Sequence, residues 1–486
     1  MPNHVTPQTS PTVKPKLNRD DNIAIVFLTC VILILVFCPA SRPYGILRDF
    51  NAFYCAGESV RTGQDPYLAE PLGTCERKTK PKIFQAGQAN LTLPAPLPPY
   101  DLLFLAQISR LPYVTAAFFW TVGLLIAYAA TTWLIADMAR IRITTVAIVL
   151  APTVAYGCAV MGEIMPITLA GLAIAAWMQS HNKPMTATTG AILAMTSPHV
   201  GLPTATALFL YSPKTRIPLL ISAVILIATC IATVGPTITL EYFANVLPAH
   251  ALSEVASTSQ MSLTAVAHAV RLPDQTAAYI GTISYFAMFA LAVATARRLW
   301  TQNPHDPLIV LAPATIILLG GVFLHVTQMA AALPCALIMH SRATIWTRRA
   351  IATGAAMIAV PWVQFEFLGT ILAVVGGATI ATTYSTMFVR KRRDLAACGM
   401  GILTFAFIIG LNIAVVVSGT TPHQTLPDLN PADLAEVGWK INIDSIKTDD
   451  WTIFDIARMP SWIGILIVTT TLVLGTKSSK ETKETS

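Results

Sequence analysis

Residues 115–136 read TAAFFWTVGLLIAYAATTWLIA, an uncharged apolar run. A helix rising ~1.5 Å per residue over that length crosses a hydrocarbon layer ~30 Å thick. Comparable runs occupy Ile23–Ala40 and roughly 144–161, 164–179, 185–211, 217–236, 276–296, 307–323, 326–340, 350–366, 369–388, 396–417 and 460–475. The 486 residues are 54% hydrophobic and 12% charged, about half the ~25% charge of a soluble chain. Those figures exclude a soluble globule, and disordered chains are the reverse, polar and charged. The fold expected is an all-α polytopic membrane protein with about 12–14 transmembrane helices. The 185–211 run holds Pro198 and Pro203, so it is one kinked helix or two half-helices.

A net charge of +7 does not imply nucleic acid, because the cations sit in short tracts between apolar runs. Arg140/Arg142, Lys183, Lys214/Arg216, Arg297/Arg298, Arg342/Arg348/Arg349 and Arg390–Arg393 mark every second connection, as cytoplasmic loops do. This alternation holds if 185–211 counts as two half-spans. It places both termini in the cytoplasm. Ile23–Ala40 is longer than a secretory signal core of 7–15 residues, and more spans follow it, so it reads as an uncleaved first helix. Residues 1–22 and 476–486 are polar tails. The opposite face receives about 42–114, 237–275 and the acidic 418–459.

The chemistry gathers in the first of these outer loops. It begins Arg48-Asp49-Phe50-Asn51-Ala52-Phe53-Tyr54-Cys55-Ala56-Gly57-Glu58 and continues to Arg61, Gly63 and Asp65-Pro66-Tyr67. Phe50, Phe53, Tyr54 and Gly57 have helical spacing, so a short interfacial helix is expected, ended by Gly63. Asp49 then reads either as a helix N-cap or as a reactive carboxylate. Leu93 to Tyr100 carries Pro94, Pro96, Pro98 and Pro99, which excludes helix interior. An apolar segment too short to cross follows it. Cys55 and Cys75 share this loop, and they are a candidate disulfide if it faces an oxidising compartment.

An Asp-Phe-x-x-Phe-Tyr segment after the first helix, then Gly-x-Asp-Pro-Tyr, then Pro-Pro-Tyr before a short apolar helix, resembles glycosyltransferase family 87 of the GT-C superfamily. Gly162-Glu163, Ser197-Pro198-His199, Gln260-Met261-Ser262-Leu263 and His325-Val326-Thr327-Gln328 match loosely and in order. The resemblance covers about residues 20–345, so 23–345 is expected as the transferase module and 346–475 as additional spans. Ser197 stands where many members have Lys, and Glu163 where they have Gln.

The resemblance implies transfer of a sugar, mannose type first, from a polyprenyl-phosphate donor to a glycan or glycolipid acceptor. Transfer would occur at the outer membrane face, by inversion, with Asp49 as general base. Arg48 and Arg61, with Arg42, are candidates for holding the phosphate, unless they are solvated loop charges. Tyr54, Glu163, Gln260, His325 and Gln328 are candidate substrate contacts. Each has a plainer alternative: Glu163 a helix-start charge, His325 a satisfied interfacial histidine, and the glutamines partners of nearby backbone. His199 lies at the expected helix break. Gly-rich phosphate loops, HExxH, Cys/His ligand clusters and Asp-x-Asp are missing from the sequence, so no metal or cofactor is expected. A transporter or flippase of a lipid-linked sugar is the alternative. Such proteins usually place polar sites on broken helices at the midplane, in two related halves.

Overall fold

The computed structural model describes residues 47–79, 91–158, 161–257, 259–362, 430–446 and 453–484. The expected first helix at 23–40, Arg42 and the spans at 369–388 and 396–417 lie outside the described residues.

Helix α1 (Arg48–Arg61) is followed by α2 (Ala69–Thr79) and α3 (Pro99–Ile108). Residues 91–98 carry no helix, as their prolines dictate, and Pro99 starts α3 from the position where a missing N–H costs nothing. The membrane body begins with α4 (Tyr113–Ala139), then α5 (Ile143–Leu150), which widens into a π-turn through Cys158, and α6 (Met165–Ser180). Among the described residues, four helical stretches are long and apolar enough to cross a membrane: Tyr113–Ala139, Pro213–Ser253, Asp274–Gln302 and Arg458–Gly475. The first two leave Phe118, Ile126, Trp133, Ile221, Val224 and Ile227 exposed, an apolar exterior suited to lipid. The molecule is an all-α polytopic membrane protein.

The 185–211 region resolves into α7 (Pro184–Leu193), a single tight turn, and α8 (Pro198–Tyr211). Ser197 between them is not helical (φ −125°, ψ 87°) because a residue before proline is pushed toward extended backbone. The sequence places the end of the next span near 236, and the backbone breaks there: helix α9 (Arg216–Glu241) is two helical pieces joined at a kink, with Gly235 (φ 82°, ψ 166°) outside helical geometry just before Pro236. A π-turn then leads into α10 (Leu247–Ser253). Helices α11 (Leu263–Ala269), α12 (Asp274–Gln302) and α13 (Leu308–Ile316) follow. The expected span at 326–340 is instead a 3-10 turn (Val326–Ala331) running into α14 (Ala332–Arg342), buried from Val326 to Met339. Helix α15 (Ile345–Ala359) packs on α17 (Ile453–Glu484), and their closest approach sets Gly354 against Gly464. Between them, within the acidic outer segment, lies α16 (Ala435–Ile446).

Among the described residues three apolar clusters form. The largest, within the membrane body, centres on α6, α13 and α14. The second joins the segment from α1 to α3 to the start of α4 through Phe50, Phe53, Tyr54, Leu72, Leu102, Leu105 and Trp120. A small third one packs Val255, Ala267 and Ala277.

Candidate active site

The segment from α1 to the start of α4 is built to hold α1 in place. Phe50 stacks on Trp120 (ring centroids 5.2 Å) and on Tyr113 (5.9 Å). The Tyr54 hydroxyl donates to the Leu111 carbonyl at 2.9 Å. Gly57 presses against the α3 backbone, where a Cβ would come within 2.5 Å of Leu105. Cys55 and Cys75 are bonded to each other, with Cα atoms 5.6 Å apart. Arg61 lies at the far end of α1, paired with Glu58 at 3.7 Å, twelve residues and about 18 Å along the helix from Asp49. Arg48 sits over the Trp439 ring at 4.8 Å.

Asp49 occupies the first turn of α1, while Leu47 holds the cap position with no side-chain cap bond. Its carboxylate is therefore not spent on capping. The neighbouring turn is fitted to it: Gly162 (φ 76°) lies where a Cβ would meet the Phe50 Cβ at 2.6 Å, and its carbonyl accepts from Trp120 Nε1 at 2.8 Å. Glu163 follows, buried.

His325 reaches the same place by a different route. An isolated antiparallel bridge pairs Gln260 with His325. The fully buried Gln260 accepts from the Leu324 amide at 2.6 Å through Oε1 and donates to the Val322 carbonyl through Nε2. Gln328 accepts from the His325 amide at 3.0 Å. Both glutamines thus serve the backbone that carries His325, and Tyr54 serves the Leu111 carbonyl.

Residues that were not singled out from sequence complete the cluster. His250 and Glu254 stand four residues apart at the end of α10. Glu254 Oε2 approaches His325 Nε2 to 3.3 Å, and the other Glu254 oxygen accepts from Trp439 Nε1 on α16. Phe323 lies within ring contact of His199, His250 and His325, at 5.5, 4.7 and 5.8 Å between centroids.

The electrostatics follow from this crowding. Burial raises the Asp49 carboxyl above its usual range, against the pull of Arg48 and His325. Burial and the Asp49 charge lift Glu163 to about 7. Burial alone would lower His325, but Glu254, Glu163 and Asp49 hold it up at about 9. Burial would raise Glu254, yet His325, His250 and the Trp439 N–H bring it down to about 2. A site in which buried carboxylates surround one histidine can take a proton from a hydroxyl or neutralise a bound cation.

The spacing His250-Ala-Leu-Ser-Glu254 is the signal sequence reasoning passed over. It puts two ligand-type side chains on one helical face, in a stretch the apolar pattern assigned to a connection.

No match appears among curated proteins or among solved structures. The sequence model of glycosyltransferase family 87 matches residues 97–325, which include Glu163, His250, Glu254 and His325. That segment of this all-α membrane protein thus carries the sequence pattern of glycosyltransferase family 87, which supports a membrane glycosyltransferase of GT-C type.

Proposed function

We propose that this protein transfers a sugar, mannose type first, from a polyprenyl-phosphate donor to a hydroxyl of a glycan or glycolipid. The reaction would occur at the outer face of a bacterial cytoplasmic membrane. The observation that carries this reading is the position of Asp49: a carboxylate not used as a cap, on a helix fixed by a disulfide, electrostatically linked to His325 and Glu254.

In the reaction, the acceptor oxygen forms a bond to C1 as the C1–O bond to the phosphate breaks. The electron pair of that bond leaves with the polyprenyl phosphate. A phosphate leaves without being protonated, so only the acceptor's proton needs a base, and Asp49 takes it. This differs from glycoside hydrolysis, where a second carboxyl must act as acid. Direct displacement inverts C1. Arg48, next to Asp49, contributes positive charge on the donor side.

The test supplies purified protein in detergent with radiolabelled polyprenyl-phosphate sugars, one at a time, and a membrane lipid extract as acceptor. Label should pass from a mannosyl donor to product. Asp49→Asn should lower turnover by the ~10²–10⁴ of general-base loss while the melting temperature stays near wild type. Full activity in Asp49→Asn would remove it from the chemistry. Sidedness is checked separately, with single cysteines at Val437 and Ser341 in a chain whose unpaired cysteines are replaced. An impermeant maleimide should label them from opposite sides of the membrane.

A further inference from the structure

We propose that His250, Glu254 and His325 form a binding site for a divalent transition-metal ion of the zinc class. One ring nitrogen of each histidine and one carboxylate oxygen of Glu254 lie within 4.8 Å of one another. Among the described residues, three buried polar atoms of this group have no hydrogen-bond partner: His250 Nδ1, Glu254 Oε2 and His325 Nε2. Buried polar atoms are nearly always satisfied. Three unsatisfied ones on three facing side chains have a common solution, an ion between them.

The competing occupant is a proton shared by Glu254 and His325. Their 3.3 Å approach makes an ion pair, but that solution leaves the buried His250 Nδ1 unanswered. The same 3.3 Å is close to the edge of a tetrahedron with bonds of ~2.0–2.1 Å, which measures about 3.4 Å. Two imidazoles and a carboxylate are the donor set of catalytic zinc sites, which keep a fourth position open.

The scaffold supports the site as metal centres require. His250 and Glu254 share one face at the end of α10. His325 is fixed by the bridge to Gln260. The Glu254 oxygen facing away is held by the Trp439 N–H, the kind of outer contact that orients a ligating carboxylate. Charge balance points the same way. Asp49, Glu163 and Glu254 gather at this spot, and a divalent cation among them would add to the charge of Arg48 in receiving an anionic donor phosphate. The open position would accept an oxygen of that phosphate; this role, unlike the site itself, rests on the transfer reaction proposed above.

The experiment treats the full-length protein in detergent with EDTA, removes the chelator, and titrates zinc chloride by calorimetry, with metal content measured by mass spectrometry. The expected result is one zinc per chain and a melting temperature that rises with zinc. Glu254→Gln and His250→Gln should weaken binding by more than the ~10–100-fold typical of losing an outer contact. His181→Gln, exposed on α6's C-terminal turn, should bind as wild type does. Wild-type protein that binds no stoichiometric zinc, or variants that bind it undiminished, would overturn the site. If a variant does not fold, the wild-type stoichiometry and zinc-dependent melting decide alone. If zinc binds but chelated protein turns over normally, the site stands and its role toward the phosphate is overturned. Absence of transfer with any polyprenyl-phosphate sugar, with zinc bound, would instead count against the proposed reaction.

Discussion

Helices α1 and α16 flank the same cluster and are secured by opposite means. Helix α1 is held by a disulfide, stacked aromatic rings and two glycines that admit neighbouring backbone and side chains at contact distance. Helix α16 is held by polar links: the Leu68–Leu434 bridge, Ala69 N to the Asp433 carbonyl at 2.7 Å, Trp439 to Glu254, and Lys440 to Asp274 at 3.0 Å. Apolar packing and covalent closure resist displacement, whereas the half-exposed Lys440 links exchange with water at little cost. The carboxylate assigned to the chemistry is on the tightly packed side. On the more polar side, the Trp439 bond is the link that ends on a buried carboxylate, Glu254.

The sharpest break of this contrast is Gly162→Ala. A left-handed conformation costs a non-glycine residue about 1–2 kcal/mol, and overpacking against Phe50 adds about 1–3 kcal/mol. Loss of about 2–5 kcal/mol should lower the melting temperature by many degrees, with turnover falling as Asp49 shifts. An unaltered melting curve would mean that α1 is not wedged at this turn. The double change Cys55→Ser, Cys75→Ser comes next, at about 3 kcal/mol for a closed loop of this size; comparable melting with and without reductant in the wild-type protein would contradict it.

On the α16 side, Trp439→Phe keeps a ring over Arg48 and removes only the N–H. A carboxylate oxygen that loses its partner costs about 1–3 kcal/mol, so turnover should fall about ten-fold or more while stability changes less than in the α1 variants. A larger loss of stability than in Gly162→Ala would reverse the comparison. Lys440→Ala is the smallest effect expected. Its ammonium is 38% exposed and pairs with Asp274 and Asp444, and exposed pairs contribute about 0.2–1 kcal/mol. A stability change beyond that range would show α16 to be held more firmly than its contacts imply.

Much of this was legible in the sequence, and the boundary has physical causes. The long apolar spans could be read because lipid imposes one rule on every residue facing it. The interfacial helix at Arg48–Arg61 followed from its 3–4 spacing and its glycine stop. Asp49 emerged because it sits in a local motif. Glu163 and His325 were visible as ionisable residues beside apolar runs, but Gln260 and Gln328 were ambiguous. An amide that binds sugar and one that binds backbone have the same local sequence. The break at Gly235-Pro236 was legible because proline cannot continue a helix and the glycine before it takes the non-helical backbone. Trp439 could not be found at all, since its partner is 185 residues away and no spacing rule spans that separation.

That separation also fixes an order of events during synthesis. A ribosome adding ~5–20 residues per second takes about 10–40 s to travel from Glu254 to Trp439. During that interval Asp49, His250 and Glu254 have already been made, while the indole that binds the Glu254 carboxylate is still untranslated. The newborn enzyme therefore carries an unfinished charge cluster until α16 is made. Its maturation is timed by residues translated long after Glu254 itself.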